Sequence, residues 1–176
     1  MLDMTTIAFT IIGPDRPGIV AEISDIVARH QGNWMESHMA NLAGQFAGIV
    51  QVQVEPANKE PLCEALLTLV EQGLQVAIAE PTQATVGTGQ YLDIEILGRD
   101  HPGIILDITQ ALAAINVTIS AMETECFSGS MSGGDMFKGQ LTVDVPKDMV
   151  FESLEETLHQ VSNDLLVDLL IEEPRN

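Results

Sequence analysis

Apolar and polar residues alternate through Ile7, Ala8, Phe9, Thr10 and Ile11, the two-residue period of a half-buried β-strand. The period then lengthens to 3.6 residues. Ile19, Val20, Ile23, Ile26 and Val27 form the stripe of an amphipathic helix that ends near Gly32-Asn33. A β-rich segment follows Asn33, and alternation is clear again at Val50, Val52 and Val54. Leu62, Leu66 and Leu69 mark a second helix, and Leu74 to Glu80 a short strand stopped by Pro81. The predicted order is β-α-β-β-α-β.

The same order then recurs, and a repeat of this kind decides the fold. Leu92, Ile94 and Ile96 alternate with Asp93 and Glu95 at a shift of 85 from the first strand. Gly13-Pro14-Asp15-Arg16-Pro17-Gly18-Ile19 returns at the same shift as Gly98-Arg99-Asp100-His101-Pro102-Gly103-Ile104. Ile104, Ile105, Ile108, Leu112 and Ile115 carry the helical stripe to Ile115-Asn116, where matching the two asparagines lowers the shift to 83. The next strand, Leu141, Val143 and Val145, aligns at 91, an apparent gain of eight residues assigned to the Gly/Ser-rich segment 128–134. Leu154, Leu158 and Val161 answer the second helix, and Val167 to Glu173 the last strand, stopped by Pro174.

These patterns predict an α+β fold of two ferredoxin-like βαββαβ domains in tandem, each an antiparallel sheet with both helices on one face. Residues 1–81 and 90–176 are the expected domains, and the Thr-, Gly- and Gln-containing stretch 82–89 the expected linker. Each unit leaves a sheet face and a strand edge for pairing with another copy, within the chain or in a homodimer.

Charge narrows the function. Seven Lys and Arg stand against 26 Asp and Glu, a formal net charge of -19. Such a chain repels phosphate backbones and anionic headgroups, which argues against direct nucleic-acid binding and membrane association. No run of about 18 apolar residues is present, and residues 1–9 hold Asp3 and no basic residue, unlike a signal-peptide start. A cytoplasmic protein is the expectation. Cys63 and Cys126 stand far apart without a Cys-x-x-Cys spacing, so neither a disulfide framework nor a metal site is expected. Both are read as buried apolar fillers.

The repeated turn carries the candidate chemistry. Proline is placed at the first helical position and glycine at the second, where bare backbone N–H groups face outward at the positive end of the helix. A P-loop would need Lys and Ser or Thr after its last glycine, where Ile19 and Ile104 stand, and the dinucleotide fingerprint needs G-x-G-x-x-G rather than G-x-x-x-x-G. A carboxylate fits better. An α-amino acid would set its carboxylate on those N–H groups and its ammonium near Asp15, Asp100, or the amide oxygen of Asn33 or Asn116. A plain helix start at the turns, and plain helix-closing asparagines, account for the same letters.

The Asp-x-Pro-Gly-Ile turn, its helix, the following Asn and the β-rich segment resemble the ACT domain, a small-molecule-sensing module, in two copies over nearly the whole chain. A protein made of two such copies alone resembles the glycine cleavage system transcriptional repressor group. The resemblance implies effector sites between copies, with Asp15, Arg16 and Gly18 facing Asn116, and Asp100, His101 and Gly103 facing Asn33. His101 in place of Arg16 makes the two turns unequal, and the same alignment sets Val117 against Trp34.

Catalytic patterns are weak by comparison. His30, His38, His101 and His159 accompany no nucleophile in an elbow or papain-like context, and an acylphosphatase loop is not convincing from Arg16 beside Asp15. The Cys pair of a metal chaperone is absent. Met35, Met39, Met122, Met131 and Met136 cluster in the second segments and the loop of the second copy, where Met suits a re-packing interface, but ordinary core filling is the expectation. Residues 87–176 carry 16 acidic against 4 basic groups, residues 1–86 only 10 against 3, so the acidic excess concentrates in the second half. Glu152, Glu155, Glu156, Asp164 and Asp168 give a solvated face that would also steer a basic partner. The expectation is a non-enzymatic protein without cofactor that senses an amino acid, glycine being the named candidate, and contacts a transcriptional regulator. A constitutive dimerisation or scaffold module without a ligand is the alternative, and an unrecognised hydrolase a distant third.

Overall fold

The computed structural model describes residues 4–81, 89–129 and 133–172. They form two compact units. The first contains β1 (Thr5–Pro14), α1 (Ile19–Arg29), β2 (Asn33–Leu42), β3 (Gln45–Val54), α2 (Pro56–Leu67), a 3-10 turn (Thr68–Gln72) and β4 (Gln75–Ala79). The second contains β5 (Gln90–Arg99), α3 (Ile104–Ala114), β6 (Thr118–Ser128), β7 (Asp135–Val145), α4 (Phe151–Leu165) and β8 (Val167–Glu172). Residues 82–88 of the expected linker, and 130–132 of the Gly/Ser-rich segment, lie outside the described residues.

Both sheets are antiparallel, in the orders β2-β3-β1-β4 and β6-β7-β5-β8. This is the ferredoxin-like arrangement twice over. In the first unit Ile7, Phe9, Ile11, Val50 and Val52 point to one face, where Ile19, Ile23 and Val27 of α1 and Leu62 and Leu66 of α2 close a single core. In the second, Leu92, Ile94, Ile96, Leu141 and Val143 meet Ile104, Ile108 and Leu112 of α3 and Leu154 and Leu158 of α4. Side chains on alternate strand positions face away from the helices.

The structure revises three details. Proline does not open either helix: Pro17 and Pro102 precede the N-caps, which are Gly18 and Gly103 themselves. The repeat shift does not fall to 83. Both first helices span 11 residues, and each is followed by a left-handed residue, Gln31 at φ 57 and Asn116 at φ 58. Asn116 therefore answers Gln31, and Asn33, first residue of β2, answers Thr118, first residue of β6. Trp34 corresponds to Ile119, opposite Val52 and Val143 respectively, rather than to Val117. With 85 kept through β6, the longer hairpin accounts for six residues and not eight: Leu42 pairs with Gln45, and its counterpart Phe127 with Met136. Third, the cysteines are not both core fillers. Cys63 is half-buried, but Cys126 is exposed on β6.

Candidate functional site

Each strand-to-helix turn begins with a close approach. A Cβ on Gly13 would lie 2.7 Å from Leu74 Cδ2, and one on Gly98 would lie 2.5 Å from Val167 Cγ1, so glycine lets the central strand come up against the start of the fourth. The backbone then leaves the sheet, Asp15 N–H donating to Gly44 O and Asp100 N–H to Asp135 O, both at 2.9 Å. Gly18 (φ 89, ψ -1) and Gly103 (φ 100, ψ -8) turn the chain into the helix through the left-handed region, which L side chains avoid. Their carbonyls accept the first helical bonds, from Glu22 N at 2.9 Å and Asp107 N at 3.0 Å. No side chain caps either helix start. The space in front of Gly18 holds no atom within 4 Å of a Cβ built there, and that in front of Gly103 holds only Asp107 Oδ2, at 3.8 Å. Each helix start thus keeps N–H groups that no side chain caps, beside a glycine whose side-chain position is open.

The turn side chains are already engaged. Asp15 accepts a hydrogen bond from the Asn41 amide at the far end of β2. Arg16 donates to Glu22 at 2.7 Å and to Gln72 at 2.8 Å, tying the strand-to-helix turn to α1 and to the 3-10 turn after α2. His101 reaches the equivalent place in the second unit, with Nδ1 3.2 Å from Pro102 O and Nε2 3.2 Å from Leu165 O at the end of α4. Cys126 stands where Asn41 does, opposite Phe137 as Asn41 is opposite Phe46. Partial desolvation and the neighbouring Asp100 carboxylate push its thiol above the ordinary range, the opposite of what a nucleophilic cysteine needs.

The Arg16 guanidinium, helped by Gln72, holds the Glu22 carboxyl below its ordinary value of 4.5. A depressed carboxyl stabilises the folded state above its unfolded pKa, and the contribution disappears as pH falls through the folded value. With both side chains partly exposed, Arg16→Ala is expected to cost about 0.5 kcal/mol at pH 7, and the cost should fade below about pH 4. Urea unfolding of both proteins from pH 7 to pH 3 measures this, and a difference that stays constant across the range contradicts the pairing.

The structure brings Asp15, Arg16 and Gly18 together in one turn and Asp100, His101 and Gly103 in the other. It does not bring either asparagine to the turn of its own unit. Asn33 pairs opposite Gln53, which flanks Thr6, eight residues or about 27 Å of strand from Pro14. Its amide nitrogen lies 3.1 Å from Met35 Sδ. Asn116 closes α3, with its N–H on Ala113 O at 3.0 Å, at the other end of the helix that Gly103 opens. Asn41, Cys126, Glu22 and Gln72 are the participants that sequence reasoning missed. A shift held at 85 would have matched Asn41 with Cys126 and Glu22 with Asp107. Among the described residues no group of three or more His, Cys, Asp or Glu could hold a metal ion, and no helix is long and apolar enough to cross a membrane.

Residues 5–79 match the ACT domain family. The first unit thus matches that family over nearly its whole length, and the chain has the fold of two ACT-type units in tandem, the second repeating the topology and register of the first. Its fold is similar over 98% of its length to all of an unknown protein from Galdieria sulphuraria (TM-score 0.86, 26% identity). It is similar over 99% of both chains to a candidate glycine cleavage system transcriptional repressor (TM-score 0.73, 19% identity). A 55-residue stretch is 40% identical to a UPF0237 protein of Methanopyrus kandleri, covering 31% of this chain and 61% of that relative's length.

Proposed function

We propose that the protein senses an α-amino acid, with glycine the first to test, and passes the signal by contact with a transcriptional regulator. One observation carries the reading: in each unit an uncapped helix start lies behind a left-handed glycine with open space before it. A ligand carboxylate there would gain N–H donors and the favourable end of the helix dipole. Asp15 or Asp100 would take its ammonium, and Asn33, from another copy's second strand, would supply a carboxamide. The helix-closing backbone of Asn116 moves that role in the second unit toward Thr118, the positional counterpart of Asn33.

The two turns should not bind equally. An acidic residue stands one turn into each helix, Glu22 and Asp107, where it competes with an anionic ligand. Arg16 neutralises Glu22, whereas His101 offers Asp107 no guanidinium. The first unit's turn is the more receptive. Bound ligand would favour one arrangement of the protein over another, and that differential affinity would alter docking of the regulator. Similarity in fold to the candidate repressor of the glycine cleavage system supports the choice of glycine and of a transcriptional partner.

Thermal unfolding with each amino acid in turn at millimolar concentration is the test. A ligand at 100 times its Kd should add about 2.7 kcal/mol to stability. No shift with any of them removes the sensor reading and favours a scaffold without a ligand. That alternative has its own support in the Asp15–Asn41 and Arg16–Glu22 contacts, which fasten the first turn without any ligand.

A further inference from the structure

We propose that the outer face of the β6-β7-β5-β8 sheet docks a basic segment of a partner protein, one that carries apolar side chains among its lysines and arginines. The proposal rests on the reading that the protein acts by protein contact, and it adds the surface and the chemistry of the partner. The ladder puts Asp93 and Glu95 of β5, Glu123 and Glu125 of β6, Asp144 of β7 and Asp168 of β8 on the side away from the helices. Two basic residues, Arg99 and Lys138, share that side. Tyr91, Leu97, Phe127 and Leu170 stand among the acids and are 48%, 37%, 41% and 62% exposed. Between β5, β6 and β7 the face is hollowed into a concavity of about 320 Å³ lined by Asp93, Glu95, Glu123, Gln140 and Thr142 among others. The Thr142 hydroxyl donates to Asp93 at 2.7 Å and orients its carboxylate.

The fold does not require this pattern. The first unit has the same strand order, and its corresponding face presents Ala8, Thr10, Ile12, Ala47, Ile49 and Gln51, with Glu36 the one carboxylate among the described residues. On the second face, Asp93 and Glu95, and likewise Glu123 and Glu125, are alternate residues of one strand. They stand about 7 Å apart, inside the Debye length of about 8 Å at physiological salt. Lys138, opposite Glu125, offsets part of their repulsion; the remainder persists in the free protein, and further cations interleaved with the acids would relieve it. The exposed aromatic and aliphatic side chains supply the anchoring contacts that charge alone lacks. Charge complementarity selects the occupant, because a second copy of the same face would be repelled and a nucleic acid more so.

The test is an NMR titration of the isotope-labelled full chain at about 0.15 M salt, with a short synthetic peptide of alternating Lys and Leu and with its Glu–Leu counterpart. Amide shifts should concentrate in β5, β6 and β7 with the basic peptide only. The variant Asp93→Asn, Glu95→Gln, Glu123→Gln, Glu125→Gln should weaken binding roughly tenfold, a loss of about 1.4 kcal/mol. Glu152→Gln, Glu155→Gln, Glu156→Gln, Asp164→Asn removes the same charge from α4 and should change the affinity less than about twofold. Equal weakening by the two variants would reveal diffuse attraction to an acidic chain and overturn the proposal. Shifts confined to the first unit or to α4 overturn this face while leaving action by protein contact intact, whereas no response anywhere removes both.

Discussion

Gly18→Val is expected to lower stability by about 2 kcal/mol and to abolish any amino-acid-dependent stabilisation contributed by the first unit. The two effects have different origins. At φ 89 a side chain crowds its own carbonyl, at a cost of roughly 1–2 kcal/mol, with a β-branched residue at the upper end. For a unit of about 80 residues that corresponds to a midpoint lower by roughly 10 °C. The loss of ligand response comes instead from the space in front of the turn. Beyond the turn itself no atom lies within 4 Å of the new Cβ, so the branched side chain has room to extend into the approach to the helix N–H groups. Gly18→Asn separates the two, because asparagine tolerates left-handed backbone better than valine does. Most of the stability should return while the ligand shift stays absent. A ligand shift that survives in both variants, measured by thermal unfolding with and without millimolar amino acid, places the binding elsewhere.

The parts of this fold that were legible in the sequence are those set by local period. Ile7, Phe9 and Ile11 are buried because alternate residues of one strand share a face, and Ile19, Ile23 and Val27 because helical neighbours share a stripe. Both signals lie within a dozen residues of chain, and the 85-residue repeat doubled them. What failed was inference from residue letters. Asn33 and Asn116 look equivalent beside helix ends, yet the left-handed position that follows each helix accepts glutamine in one copy and asparagine in the other. The letter match slid the alignment by two residues, carried Trp34 onto Val117 and hid the match of Asn41 with Cys126.

The engagement of the turns was hidden for a different reason. Asp15 meets Asn41 across 26 residues, and Arg16 meets Gln72 across 56. Such contacts depend on how strand ends and helix ends are brought together, and no local period encodes them. The contrast between the two outer sheet faces is an intermediate case. Strand alternation places Asp93 and Glu95 opposite the core side, but only the ladder shows that Glu123 and Glu125 of edge strand β6, beyond β7, belong to the same face.

The largest effect on folding is expected from Gly98→Val. The first glycine of the repeated motif resembles its companion in sequence but not in physical role: Gly103 is needed for its dihedral angles, Gly98 for its lack of volume. A Cβ at position 98 would sit 2.5 Å from Val167 Cγ1, 2.9 Å from its Cβ and 3.0 Å from its backbone α-carbon, so β5 and β8 cannot keep their pairing. Overpacking against backbone costs about 3 kcal/mol or more, a large part of the stability of a unit this size. Each unit has its own core, residues 7–74 in one and 92–167 in the other. Amide exchange should therefore show protection lost from β5 to β8 while β1 to β4 keep theirs. Val167→Ala in the same chain removes the nearest atom but leaves the backbone just as close, so it should restore part of the loss, giving a coupling of about 1 kcal/mol in a double-mutant cycle. Uniform loss of protection in both units would mean that they fold as one cooperative body, and an unchanged midpoint would mean that the two strands do not approach as closely as the turn requires.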